Sequence, residues 1–458
     1  MEKVNTKRMN CIAFLKGGGN GRQRVHGALL TTEGELCRKI RVQKEGKMAK
    51  KLFVRILLAL MFVVFITLPA ISQHQVDLHN NVTLYGQQSC CWCGAASGQM
   101  IMNGYPNAVD RQLFTQLSIW NAIQANNSTD PTDVAQNWCT DPIGLRATMI
   151  SFNPPPGGTW SVHANATRDT VMFDVLFWMN RNNYPVATLI NQGGHWVVIV
   201  GFTSDVAPLA GSTPVLQDIR IYDPEPHNVG TDITKTAAVW YGTDWNGAVQ
   251  YAGTWNNRYA AVIEPPVARG TVRVKVVERT GEKIISPEAA VISAKRWIEK
   301  LGLGKRHPYT ILQKRDLRNL EPMLVREEIR FGMEKEKKVP YYYLIPFGFE
   351  YEKAECGLML ARVAVIVNAY SGDFEEIGAF GQAVSYLPQQ EAIRIVARAM
   401  RLKQEELKNV KATMMFRPSD ITHIRVYPFW KVMVGERIMY VDQLGKLYKN
   451  ILPSVPGD

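Results

Sequence analysis

Residues 48–72, MAKKLFVRILLALMFVVFITLPAIS, divide this chain before any fold can be considered. A basic start, an apolar run from Ile56 to Leu68, and small Ala70 and Ser72 ahead of Gln73 form the layout of a cleavable export signal. The stretch Ile56 to Ser72 is also just long enough to cross a bilayer with little tilt, so an uncleaved anchor is the competing reading. Export signals stand at the N-terminus, yet residues 1–47 precede this one, rich in Gly, Arg and Lys and without apolar periodicity. Lys44, Glu45 and Gly46 can be encoded by a purine-rich ribosome-binding sequence just before the Met48 codon. That points to a bacterial source, a true start at Met48, and residues 1–47 as a non-native N-terminal extension. The folding part is then expected from residue 73 onward, secreted or in the cell envelope, with no stable membrane span after signal cleavage.

Removing these segments changes what the charge implies. Of the chain's net +12, residues 1–72 carry 14 basic and 4 acidic side chains, which leaves +2 on the remainder. The high isoelectric point therefore argues for no nucleic-acid partner. Residues 73–265 hold 7 basic and 14 acidic side chains, whereas 266–458 hold 32 and 23. An acidic unit is followed by a basic one, and opposite charge favours encounter between them. The C-terminal part is accordingly expected to dock on the first and restrain it.

The first unit reads as helices followed by a sheet. Helices are expected over 94–102 and 169–182, and buried strands over 185–190, 195–202 and 219–223. The segment IEPPVARG, 263–270, breaks the pattern and places a domain boundary there. Beyond it lies a weak repeat. Ser286-Pro287 opens one amphipathic helix and Leu387-Pro388 a second, each followed by apolar strand pairs. The boundaries expected are 73–265 for the first domain, 271–380 for one small module and 381–458 for another.

The stretch QQSCCWCGAAS, 87–97, concentrates the chemistry. The part after residue 72 contains Cys90, Cys91, Cys93, Cys139 and Cys356, an odd number, so one thiol stays outside any intramolecular pairing. A zinc site needs four convergent ligands, commonly as two spaced pairs, and this spacing lacks them; no metal and no cofactor are expected. Cys93 precedes small residues and an apolar-periodic run, which places it at a helix N-terminus, where the dipole and free N–H groups favour a thiolate. Gln87, six residues earlier, is positioned to contribute its side-chain amide to an oxyanion hole. His195 follows two glycines and opens an apolar strand, the setting of a rigidly held base. Asp223, stopped by Pro224, ends the next strand and is the expected orienting carboxylate, with Asp218 and Asp205 as competitors read as solvated. Trp196 alternates with His195 and is expected to face packing on the opposite side.

Together, Gln87, Cys93-Gly-Ala-Ala-Ser, the GGHWVVIVGF strand and the YDP turn resemble the papain-like cysteine peptidase superfamily, closest to its bacterial bacteriocin-processing (double-glycine) peptidase-like branch. The resemblance implies an α+β fold, a papain-like catalytic domain of helix lobe and antiparallel sheet. It implies a cysteine peptidase with Cys93 as nucleophile, His195 as base, Asp223 as orienting acid and Gln87 in the oxyanion hole, acting on protein or peptide substrates. Three departures stand beside it. No transporter is fused here, the segment between His195 and Asp223 is long, and Cys91-Trp92 imitates a Cys-Trp pair but with Tyr85 where a Gln is needed. Given this assignment, Cys139 is the expected disulfide partner of Cys90 or Cys91. Residues 271–458 resemble a tandem pair of PepSY-like modules, which implies binding or restraint of a peptidase domain. The alternatives are a cell-wall peptide amidase or endopeptidase using the same triad, and a catalytically silent binding or adhesion module.

Overall fold

The computed structural model describes residues 73–103, 114–127, 138–152, 160–263, 272–274, 278–328, 339–354 and 358–452. The expected extension 1–47 and signal 48–72, nearly all of the boundary 263–270, and Cys356 lie outside the described residues. No helix among the described residues is long and apolar enough to cross a membrane.

The centre of the first half is a hairpin of buried strands. β3 (Val186–Ile190) and β4 (His195–Ser204) are buried at every position, as befits near-continuous apolar runs covered on both faces. They pair antiparallel, and β4 in turn pairs with β5 (Leu216–Asp223), which pairs with β6 (Thr231–Thr236). On the other side, β7 (Tyr259–Ile263) joins β3 to β2 (Ser161–Asn165), and β1 (His74–Asp77) pairs with the far end of β4.

Helix α1 (Cys93–Asn103) lies wholly buried against this sheet, between α2 (Gln116–Asn126) and α3 (Pro142–Phe152). Its small residues permit that position. A Cβ on Gly94 would come within 2.4 Å of the Thr140 side chain, so only glycine allows the approach. Its larger residues Met100, Ile101 and Met102 anchor it, each burial worth about 1.5–3 kcal/mol relative to exposure. α4 (Arg168–Asn182) packs on β2 and β7 and ends on left-handed Asn183.

In the second half, α5 (Pro287–Lys300) starts where Ser286 caps it, its hydroxyl accepting from the Ala289 N–H at 3.2 Å. Ala290 and Ala294 lay its apolar stripe on β10 (Tyr341–Phe349) and β11 (Ala361–Asn368), against Tyr343, Ile345, Val363 and Val365. α6 (Gln389–Met400) likewise lays Ala392 and Val396 on β13 (Val410–Phe416), β14 (Phe429–Val434) and β15 (Arg437–Val441). The remaining strands are β8 (Leu317–Asn319), β9 (Met323–Glu327), β12 (Phe374–Val384) and β16 (Leu447–Tyr448).

The sixteen strands of the described residues belong to one sheet, with main order β16-β15-β14-β13-β9-β10-β11-β12-β6-β5-β4-β3-β7-β2. The pairing of β13 with β9 is parallel and every other pairing antiparallel. The two halves meet at β6 and β12, from Glu376 opposite Lys235 to Phe380 opposite Thr231. A buried ionic cluster continues the junction. Lys235 Nζ lies 2.9 Å from Asp244 and 3.7 Å from Glu376. Arg425 reaches Glu327 at 2.8 Å, Glu375 at 2.5 Å and Glu376 at 3.3 Å, and Arg279 joins Glu327 and Glu375. Residues 72–458 accordingly form one compact unit.

Candidate active site

Hydrogen bonds at one end of the β4–β5 hairpin bring together Cys93, His195 and Asp223. Cys93 is the first residue of α1 and His195 the first of β4, so both sit at element ends where backbone groups are free. His195 Nε2 lies 2.9 Å from Asp223 Oδ1. The imidazole also shares a hydrogen bond with the Cys93 side chain, and Nδ1 is the nitrogen left to make it. The backbone N–H of Trp196 donates to Cys93 Sγ at 3.3 Å. The sulfur is thus held as an acceptor at a helix N-terminus, the environment in which a thiolate is favoured. The residues are deeply placed, with Cys93 and His195 at 0% exposure and Asp223 at 1%.

Burial on its own would push the His195 imidazole down, but the charge and hydrogen bond of Asp223, followed by the hydrogen bond and charge of Cys93, override it. The ring is held protonated well above the usual histidine range. An imidazolium between a carboxylate and a sulfur is the charge state that a thiolate nucleophile requires.

The long His195-to-Asp223 segment does not disturb this geometry. β4 and β5 form a hairpin with Val198 opposite Tyr222, so Asp223 returns beside the start of β4 whatever the length of the far loop. The insertion closes on itself at that far end, where Val215 N–H donates to Asp205 Oδ1 at 2.7 Å. Asp205 therefore shapes the loop. Asp218, expected to be solvated, is half-buried on β5, and burial pushes its carboxyl up despite the charge of Arg306. The second half packs there, which its local sequence does not reveal.

Gln87 is buried and clamped through its backbone. Its N–H donates to Pro224 O at 2.9 Å and its carbonyl accepts from Asn228 N–H at 2.8 Å, tying it to the turn that follows Asp223. Gly86 permits this close contact, since a Cβ there would lie 2.2 Å from Val229 N. The buried Gln87 Oε1 has no hydrogen-bond partner among the described residues.

Cys91 lies two residues before α1 in a left-handed turn with φ 69°, its sulfur 4.0 Å from that of Cys90. Cys139 is not in a disulfide, so the expected staple from it to Cys90 or Cys91 is not formed among the described residues. The Trp196 side chain is wholly buried, and its indole donates to Thr140 O at 3.0 Å. Among the described residues, no group of three or more His, Cys, Asp and Glu side chains is arranged to hold a metal ion.

Two neighbours were absent from the sequence reading. His423, from the second half, stacks on the His195 ring with centroids 4.5 Å apart and planes 5° from parallel. Glu225, two residues past Asp223, accepts from the His423 backbone N–H and contacts its Nδ1, both at 2.8 Å. Burial would raise the Glu225 carboxyl, but the charge and hydrogen bonds of His423, with the charge of His195, hold it down to about 2.

No family model matches this chain. No curated protein matches it either. Among solved structures, the Bacillus megaterium YpeB C-terminal domain is similar at 11% identity and a TM-score of 0.16, over 61% of this chain and 93% of that one.

Proposed function

We propose that the chain is an exported cysteine peptidase whose residues 73–265 form a papain-like catalytic unit, with the C-terminal half built from PepSY-like modules. The observation that carries this reading is the Cys93–His195–Asp223 relay, with the sulfur at a helix N-terminus and the imidazole held as a cation.

In this reading the Cys93 thiolate attacks a peptide carbonyl carbon and forms a C–S bond. The Gln87 side chain and backbone N–H groups at the start of α1 stabilise the resulting oxyanion. The tetrahedral intermediate expels the amine as the C–N bond breaks, and His195 gives that amine its proton. Water, deprotonated by His195, then attacks the thioester, and the acid leaves as the thiolate re-forms. Asp223 keeps the imidazole oriented and stabilises its cation throughout.

The test is incubation of the purified chain with an unfolded protein and, separately, with peptidoglycan, followed by mass spectrometry of new termini. New peptide termini that vanish with Cys93→Ala support a peptidase. Release confined to peptidoglycan moves the assignment to a cell-wall amidase or endopeptidase. No cleavage of either, by a folded chain with an unreactive Cys93, leaves a binding module as the better reading.

A further inference from the structure

The catalytic ring has three neighbours of different kinds. Asp223 bonds one ring nitrogen and Cys93 takes the other, so both edges are used by the relay. His423 occupies a face of the same ring in near-parallel contact. A side chain placed on a face leaves the proton-transfer edges intact, whereas a plug would stand between thiol and imidazole. The stack is also firmly built. Glu225 grips His423 through both its backbone and its ring, and Asn191 Nδ2 donates to the His423 carbonyl at 3.4 Å.

The segment carrying His423 is fixed on its far side as well. The Arg425 guanidinium lies wholly buried among Glu327, Glu375 and Glu376. The Arg425 and Val426 carbonyls accept from the hydroxyls of Tyr342 and Tyr386, each at 2.7 Å. Withdrawing this segment would break a cluster of buried charges, and separating such partners is strongly unfavourable. The contact therefore has the character of a permanent part of the fold.

We propose that His423 is a positioning residue for the catalytic histidine, supplied by the C-terminal half and anchored by Glu225, so that the catalytic unit extends through the second half of the chain. This rests on the peptidase reading, and it gives that half a role opposite to restraint. The stacked ring blocks rotation of His195 and keeps water from the bond between His195 and Asp223. Glu225 adds a second buried carboxylate near the imidazolium. A misplaced base is costly, since small displacements of a reacting group lower rates by up to about a hundredfold.

The test follows the rate of Cys93 alkylation by iodoacetamide as a function of pH, by peptide mapping on the full purified chain. The groups that set the profile are Cys93, Asp223, Glu225 and His423, all of which face His195. His423→Ala is expected to slow alkylation in acid by about tenfold or more and to move the acid-side rise in reactivity to higher pH, as a loosened ion pair would. His423→Phe, which keeps a flat ring on His195, is expected to recover most of that loss. Should His423→Ala fail to fold, Glu225→Gln, which loosens the ring's anchor, carries the same expectation. Variants identical to a reactive wild type overturn the proposal alone. Faster alkylation in His423→Ala also overturns it and makes the second half a restraint. A wild-type Cys93 without acid-side reactivity overturns the peptidase reading and this proposal with it.

Discussion

The backbone N–H of Trp196 donates to Cys93 Sγ at 3.3 Å, so the residue next to His195 in sequence also holds the Cys93 sulfur. Because β4 carries both contacts, the spacing between sulfur and imidazole is set by one rigid, fully buried strand. Replacing Cys93 or His195 by Ala should therefore abolish hydrolysis, by about ten-thousandfold or more, and Cys93→Ala does so while leaving the buried Asp223 its partner. Initial rates on a peptide found by the digestion screen, alongside circular dichroism, check this.

Asp223→Asn should shift the pH dependence in a defined direction. The carboxylate is the main group raising the His195 pKa against burial, so its loss lets the imidazolium deprotonate at lower pH. The alkaline limb of the activity profile should move toward acid and the maximal rate fall by about a hundredfold to ten-thousandfold. The same linkage acts on stability. His195 titrates higher in the folded chain, so its contribution is fully present below the unfolded value and fades as pH rises through the folded one. Rate profiles of wild type and Asp223→Asn across pH 5 to 9 measure the first effect, and urea midpoints over the same range the second.

Gln87→Ala should lower kcat by about a hundredfold to a thousandfold and leave KM nearly unchanged, as expected for a donor that acts on the transition state. A parallel rise in KM would assign Gln87 to substrate binding. Gly86→Ala should produce a similar loss by another route, because its Cβ would press on Val229 and move the Gln87 backbone.

The charge cluster between the halves should make the chain acid-sensitive. Burial would raise the Glu375 carboxyl, but Arg279 and Arg425 hold it down to about 2. A depressed carboxylate contributes stability that is present above its unfolded value and lost as pH falls through the folded one. Unfolding by acid should therefore set in below the ordinary glutamate range. Arg425→Met leaves Glu327, Glu375 and Glu376 short of a partner and should cost about 3–5 kcal/mol at neutral pH. Urea denaturation at pH 7 and pH 4 reads both effects.

How much of this was visible in the sequence differs from residue to residue. Cys93 was marked by the small residues that open a helix, His195 by the glycines before a strand, and Asp223 by the proline after one. Those signals are local; the β4–β5 register returns Asp223 to His195, and α1 packed on β4 brings Cys93 to them. The arrangement around Glu225 was not visible, because its partner His423 lies 198 residues away in an irregular segment with no periodicity of its own. Asp218 was misjudged for the same reason, since its burial comes from the second half. Neither β6 (TDITKT) nor β12 (FEEIGAFGQAV) alternates regularly, and neither sequence carries a sign of its partner. Opposite net charges suggested that the halves attract, but only the fold places Lys235 against Glu376.

The most direct test of the account is competitive alkylation of the intact chain by iodoacetamide at pH 5.5 and pH 9, with the modified cysteines mapped. Cys90 is exposed and Cys93 buried, so accessibility alone would label Cys90 first at either pH. An ion-paired thiolate reverses that order in acid, where ordinary thiols stay protonated. The account predicts that Cys93 leads at pH 5.5, that Cys90 gains at pH 9, and that His195→Ala removes the acid-side labelling. Labelling led by Cys90 at both pH values, unchanged in His195→Ala, would contradict it.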